Sequence, residues 1–174
     1  MIEEIIEKIK KMRNGEGEFK VLKEHIMNLD EVQYNIILER LKIEDEIVKK
    51  YKPKVRPALD PYVSGELGIY RRLDDHEIGK FLNYPECCIK SFTEEVRVSI
   101  DREHLKEAEE INKRVVVTSG FIPCSLKCRE AIKRGLLGHL NEKELEVIKK
   151  VNEELKKRLG SFNIFYEDFY DFIK

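Results

Sequence analysis

All four cysteines of the chain fall between Asn83 and Gly138, in two phrases of similar design: Tyr84-Pro85-Glu86-Cys87-Cys88 and Ile122-Pro123-Cys124-Ser125-Leu126-Lys127-Cys128. Each phrase reads as a helix start. Proline suits the first helical position, because its fixed φ matches the helix and its missing N–H would have had no partner there. The free N–H groups and positive dipole end of a first turn favour anions, so thiolates should form there more readily than elsewhere. If the two starts face each other, four thiolates converge on one point, and Cys87, Cys88, Cys124 and Cys128 become candidate ligands for zinc or an iron–sulfur cluster.

The spacing shapes that expectation. Cys124 and Cys128 are four apart, so on a helix running from Pro123 to about Leu137 they share a face with Ala131 and Gly135. Cys87 and Cys88 are adjacent, and neighbouring thiolates reach one centre only at a helix start or turn. Thirty-five residues separate Cys88 from Cys124, enough for a helix, a return and a strand-like connection. Other chemistries stay open: disulfides between Cys87/Cys88 and Cys124/Cys128, a reactive thiol, or cysteines packed as small hydrophobes. A closed four-cysteine site would be structural, and an open position with polar neighbours would argue for catalysis.

His76, His104 and His139 could complete a mixed site or donate protons, with His104 the first choice. Hydrogen-bonded or exposed histidines are the plainer reading of all three. The chain has no Gly-rich phosphate loop, no paired metal-binding histidines at helical spacing and no nucleophile elbow, so neither substrate nor reaction is legible. Ser119-Gly120 offers at most a small anion pocket beside the cysteines.

The elements that must position these residues are mostly helical. Ile2, Ile5, Ile6, Ile9 and Met12 make one helical stripe that should end at Asn14-Gly15. Phe19, Leu22, Ile26 and Leu29 face a second helix; Asp30 caps a third, with Val32, Ile36, Ile37 and Leu41 expected inside and further turns to Tyr51. Pro53, Pro57 and Pro61 exclude a regular helix between Lys52 and Ser64, and Gly65 to Tyr70 reads as a turn or short strand. Asp74 with Glu77 forms a capping box, with Ile78, Phe81 and Leu82 inward. Pro85 then opens a helix with Cys88, Ile89, Phe92 and Val96 on its stripe. Asp101 caps the next, with Leu105, Ala108 and Ile111 inside. Val115-Val116-Val117-Thr118 is the one strand-like run, whether a helix extension, a ribbon with a segment near Ile69, or a contact with another chain. Asn141 caps a long helix that Gly160 ends. Phe162, Phe165, Tyr166, Phe169 and Ile173 fall on one face of a final helix.

The fold expected is therefore mostly α: a multi-helical domain with at most a short strand or β-ribbon, plus an N-terminal helical hairpin or small bundle. Its divisions are an N-terminal helical region at 1–52, a proline-rich crossing at 53–64 and a cysteine-centred helical domain at 65–174. At 174 residues the chain can bury a core without covalent staples. A net charge of −1, from 33 basic and 34 acidic residues, gives no global field for nucleic acid or an anionic membrane. No run is long enough to span a bilayer and the acidic, amphipathic start is no signal peptide, so a cytoplasmic protein is expected, with self-association through amphipathic terminal helices a candidate. The Lys- and Glu-rich composition, 39% charged, resembles that of thermophiles, whose intracellular proteins do carry disulfides.

An adjacent cysteine pair followed by a later pair is similar to the cysteine-rich domain of heterodisulfide reductases. This chain departs from that pattern: Ile89 stands where glycine is expected, three residues rather than two separate the later pair, and the upstream cysteine is missing. The phrases Glu77-Ile78-Gly79-Lys80-Phe81-Leu82-Asn83-Tyr84-Pro85-Glu86-Cys87-Cys88 and Gly120-Phe121-Ile122-Pro123-Cys124-Ser125-Leu126-Lys127-Cys128, with Phe92 between them, resemble the archaeal domain-of-unknown-function family 483 over roughly Gly65 to Leu137. That resemblance implies an archaeal source and a shared cysteine site, and no reaction.

Overall fold

The computed structural model describes residues 2–160 and 166–168. The chain is mostly helical: among the described residues ten helices accompany one small three-stranded antiparallel sheet. Three helices build the N-terminal region. In α1 (Ile2–Arg13) the isoleucine stripe and Met12 are buried, and the helix stops at Gly15, whose φ of +84° suits a residue without Cβ. α2 (Lys20–Asn28) buries Leu22 and Ile26. α3 (Glu31–Tyr51) starts at Asp30, whose carboxylate accepts from the Gln33 N–H at 2.8 Å.

α3 buries Ile37 and Leu41 as expected, but Val32 and Ile36 are exposed. The helix packs on α1 along one side and on α10 (Glu142–Leu159) along another, so two partners choose its inner face and leave that apolar strip outside. The apolar stripes of α1 and α10 both lie in the core.

Residues 53–60 carry no helix and bend at Lys54 and Val55, yet the helix-free stretch is shorter than expected. Pro61 is the first residue of α4 (Pro61–Leu67), where a proline costs no hydrogen bond, and Asp60 caps it through the Tyr62 N–H at 3.0 Å. Gly65 to Tyr70 is accordingly helical, divided at Gly68 (φ +59°) between α4 and α5 (Ile69–Arg72) rather than turned or strand-like. α6 (Asp75–Phe81) has the Asp74–Glu77 capping box. One core runs from Ile2 through Leu41 to Val63, Leu67, Phe81 and Leu82.

α7 (Glu86–Thr93) follows Pro85, which is its N-cap. The helix ends before Val96, which is exposed with φ +57° rather than part of a buried stripe. α8 (Arg102–Glu110) begins with a capping box between Asp101 and His104. β1 (Arg114–Thr118) is the central strand, between β2 (Leu137–Leu140) and β3 (Tyr166–Asp168), with Val116 opposite Gly138 on one side and Asp168 on the other. The strand thus finds two partners, neither near Ile69. Of the aromatics assigned to a final helix, Tyr166 lies in β3; Phe162, Phe165, Phe169 and Ile173 lie outside the described residues.

The second cysteine phrase departs most from expectation. No helix starts at Pro123; residues 121–128 form turns, and α9 (Arg129–Lys133) begins only after Cys128, its N-cap. The crossing segment straps this region to the rest of the chain: the Arg56 N–H donates to the Gly135 carbonyl at 2.6 Å, and the Thr118 hydroxyl to the Arg56 carbonyl at 2.7 Å. Close approach there requires Gly138, since a Cβ would stand 2.8 Å from the Val55 side chain.

Candidate metal centre

The first cysteine pair is set by the start of α7. The amides of Cys88 and Ile89 both donate to the Pro85 carbonyl at 3.0 Å, closing a first turn that turns adjacent side chains toward one neighbour. α6 packs against this turn through Gly79, where a Cβ would lie 2.6 Å from Ile89 Cγ1. A larger residue there would push the two helices apart.

The second pair is held by a loop whose conformation is fixed from outside. Glu107 on α8 accepts from the Ser125 hydroxyl and from the Leu126 N–H at 3.2 Å, while the Lys127 N–H donates to the Ser125 hydroxyl at 3.0 Å. Three basic side chains hold the loop's carbonyls. His104 Nε2 donates to Pro123 O at 2.7 Å, Arg97 Nη1 to Cys124 O at 2.6 Å, and His139 Nε2 to Leu126 O at 2.6 Å. A carbonyl only accepts, so each imidazole carries a proton on Nε2. Arg97 is itself fixed by both carboxylate oxygens of Asp101, at 2.6 and 3.0 Å.

These elements bring all four sulfurs together. Cys87 lies 3.6 Å from Cys128 and 4.0 Å from Cys88, Cys88 lies 3.8 Å from Cys128, and all four sulfurs lie within 4.8 Å of one another, a set that could hold a metal ion. The Cys124 N–H donates to Cys88 Sγ at 3.4 Å. A disulfide needs about 2.05 Å between sulfurs. At these distances the four cysteines are free thiols, unlike the bridged alternative.

Burial divides the set. Cys88 and Cys128 are buried, Cys124 is half-buried and Cys87 is exposed. The expected easing of thiolate formation appears at Cys128. Burial opposes its ionisation, but the Ala131 amide in the first turn of α9 and the three neighbouring thiols stabilise the anion and lower its pKa. Burial raises the Cys88 thiol, and burial with the adjacent Cys128 pushes Cys124 up to about 12. Desolvation therefore outweighs the helix start at Cys88, and Cys124 has no helix start to favour its anion. A cation among these sulfurs would replace their protons.

None of the three histidines is a ligand in this set. His104 is fully buried and His139 half-buried, both against carbonyls of the cysteine loop; His76 is on the surface, 3.7 Å from Glu86. Arg97 and Glu107 were not singled out in the sequence. Glu107 lies three residues after His104 on the same helical face, which is the one local signal for it. Arg97 left none, since it lies outside any helix.

Fold and site together define a class: a mostly helical protein organised round a tetracysteine site. Residues 41–156 match the family described as a protein of unknown function (DUF483), and the chain belongs to that family. It is 58% identical to an uncharacterised protein of Methanocaldococcus jannaschii, over 98% of this chain and 97% of that one. It is 43% identical to an uncharacterised protein of Methanothermobacter thermautotrophicus, over 98% and 96%. No solved structure matches the chain. Among the described residues no helix is long and apolar enough to cross a membrane.

Proposed function

We propose that the protein binds one metal ion, zinc, through Cys87, Cys88, Cys124 and Cys128, and that the ion is structural. The size of the sulfur cluster carries this reading. Four thiolates arranged tetrahedrally at about 2.3 Å from a single zinc ion stand about 3.8 Å apart, and three of the sulfur separations here are 3.6, 3.8 and 4.0 Å. An iron–sulfur cluster spreads its cysteines over several irons and holds them farther apart. Zinc with four protein sulfurs has no open position, which suits a structural site. Such an ion ties α7 to the loop that follows β1, two segments otherwise joined through side chains.

Metal and acid-labile sulfide analysis of protein purified without oxygen, with its absorption spectrum, tests this. One equivalent of zinc, no sulfide and no visible band are expected. Iron with sulfide would replace the reading by cluster chemistry, and metal-free protein with oxidised cysteines would replace it by a disulfide-stabilised scaffold.

A further inference from the structure

Beside the sulfur cluster lies a cavity of about 180 Å³. It is formed where α5, α6 and α7 meet the turn after β1, and Cys88 contributes to its wall. Three aromatic rings line it: Tyr70, Tyr84 and Phe92. Ile78, Ile89 and Ile122 fill out the apolar surface, and Asp75 brings a carboxylate. Among the described residues no lysine, arginine or histidine lines it. Asp75 is exposed, and its carboxylate makes no ion pair or hydrogen bond among the described residues, so its charge is available to a ligand.

The negative faces of aromatic rings attract cations, most strongly where water is excluded. A carboxylate at the wall adds to that field. An anionic ligand would meet the wrong sign on several sides, and a hard metal cation would lack oxygen donors. An ammonium ion carrying apolar substituents satisfies the rings, the isoleucines and Asp75 together.

We propose that this cavity binds a small alkylammonium ion, held by Tyr70, Tyr84 and Phe92 with Asp75 as its counter-charge. The inference extends the metal reading, since Cys88 joins the two sites, but its recognition elements are distinct from the four ligands.

The test is calorimetric titration of the full-length protein as purified with choline, and with its neutral carbon isostere 3,3-dimethylbutan-1-ol, with metal content measured on the same sample. Choline should bind saturably and at least tenfold more tightly than the isostere. Asp75→Asn and Phe92→Leu should each weaken choline binding by tenfold or more at unchanged metal content. The chain contains no tryptophan; Tyr70→Trp therefore supplies a single reporter at the cavity, and its emission should change with choline. Equal affinity for the two probes, or no saturable binding of either, overturns the proposal. Metal-loaded protein without a preference for choline sinks the cavity reading and leaves the metal centre standing. Metal-free protein that still prefers choline, and loses that preference in the Asp75 and Phe92 variants, upholds the cavity and sinks the metal centre.

Discussion

The imidazole of His104 donates from Nε2 to the carbonyl oxygen of Pro123 across 2.7 Å, while its Nδ1 accepts from the Asp101 N–H at 3.2 Å. One buried side chain thereby fixes both the start of α8 and the entrance to the second cysteine phrase. His104→Ala leaves the Pro123 oxygen without that donor, and the loss of a buried partner costs about 1 to 3 kcal/mol. Outer-shell partners of metal sites also cost about 10- to 100-fold in affinity when removed. Denaturant unfolding and competition with a chromophoric chelator should show both effects in this variant.

The metal and the fold should be linked. An ion that binds only the folded chain adds about 2.7 kcal/mol when its free concentration is 100 times its dissociation constant. Chelation should lower the unfolding midpoint of the native protein. Cys128→Ser removes a buried thiol of the proposed site and should lower it comparably while becoming insensitive to chelator. A Cys128→Ser protein that responded to chelator as the native one does would place the ion elsewhere.

Glu44 should make stability depend on pH. It is fully buried on α3. Burial, reinforced by Asp60, raises its pKa well above 4.5, against the opposing effects of the Asp60 amide, Arg56 and Arg40. The folded state therefore keeps a proton that the unfolded chain releases. Stability is fully present below pH 4.5 and falls as pH rises toward the folded pKa, by about 1.4 kcal/mol per unit. Glu44→Gln should abolish that slope and be more stable than the native protein at neutral pH, as read by unfolding across a pH series.

Gly79→Ala tests whether the packing of α6 on α7 sets the first cysteine pair. The added Cβ meets Ile89 at 2.6 and 2.8 Å, and overpacking of this kind costs about 1 to 3 kcal/mol. Ile89→Ala in the same chain removes the obstruction, so the double variant should lose less than the sum of the two single changes.

What the sequence disclosed follows from how far its signals reach. The caps at Asp30, Asp74, Asp101 and Asn141 and the left-handed end at Gly160 depend on residues within one turn, and all are found. The stripe of α1 was equally legible. The Pro123 phrase misled because its conformation is imposed by Glu107, His104, Arg97 and His139 from α8, from the segment before it and from β2. No local pattern expresses that grip. β2 was hidden for a similar reason: Leu137 to Leu140 follows a helix, and pairing with β1 makes it a strand. The convergence of the cysteines could be posed from the two prolines, but the route to it, one helix start and one braced loop, depends on long-range contacts.

The uneven cover of the four sulfurs has a kinetic meaning. With Cys88 and Cys128 buried and Cys124 half-buried, an incoming competitor meets Cys87 first. Ion exchange would then proceed in sequence, opening at the Cys87 vertex while the other three sulfurs retain their hold. For an ion held by all four sulfurs, the outward one would govern the rate of exchange and the inward ones its residence.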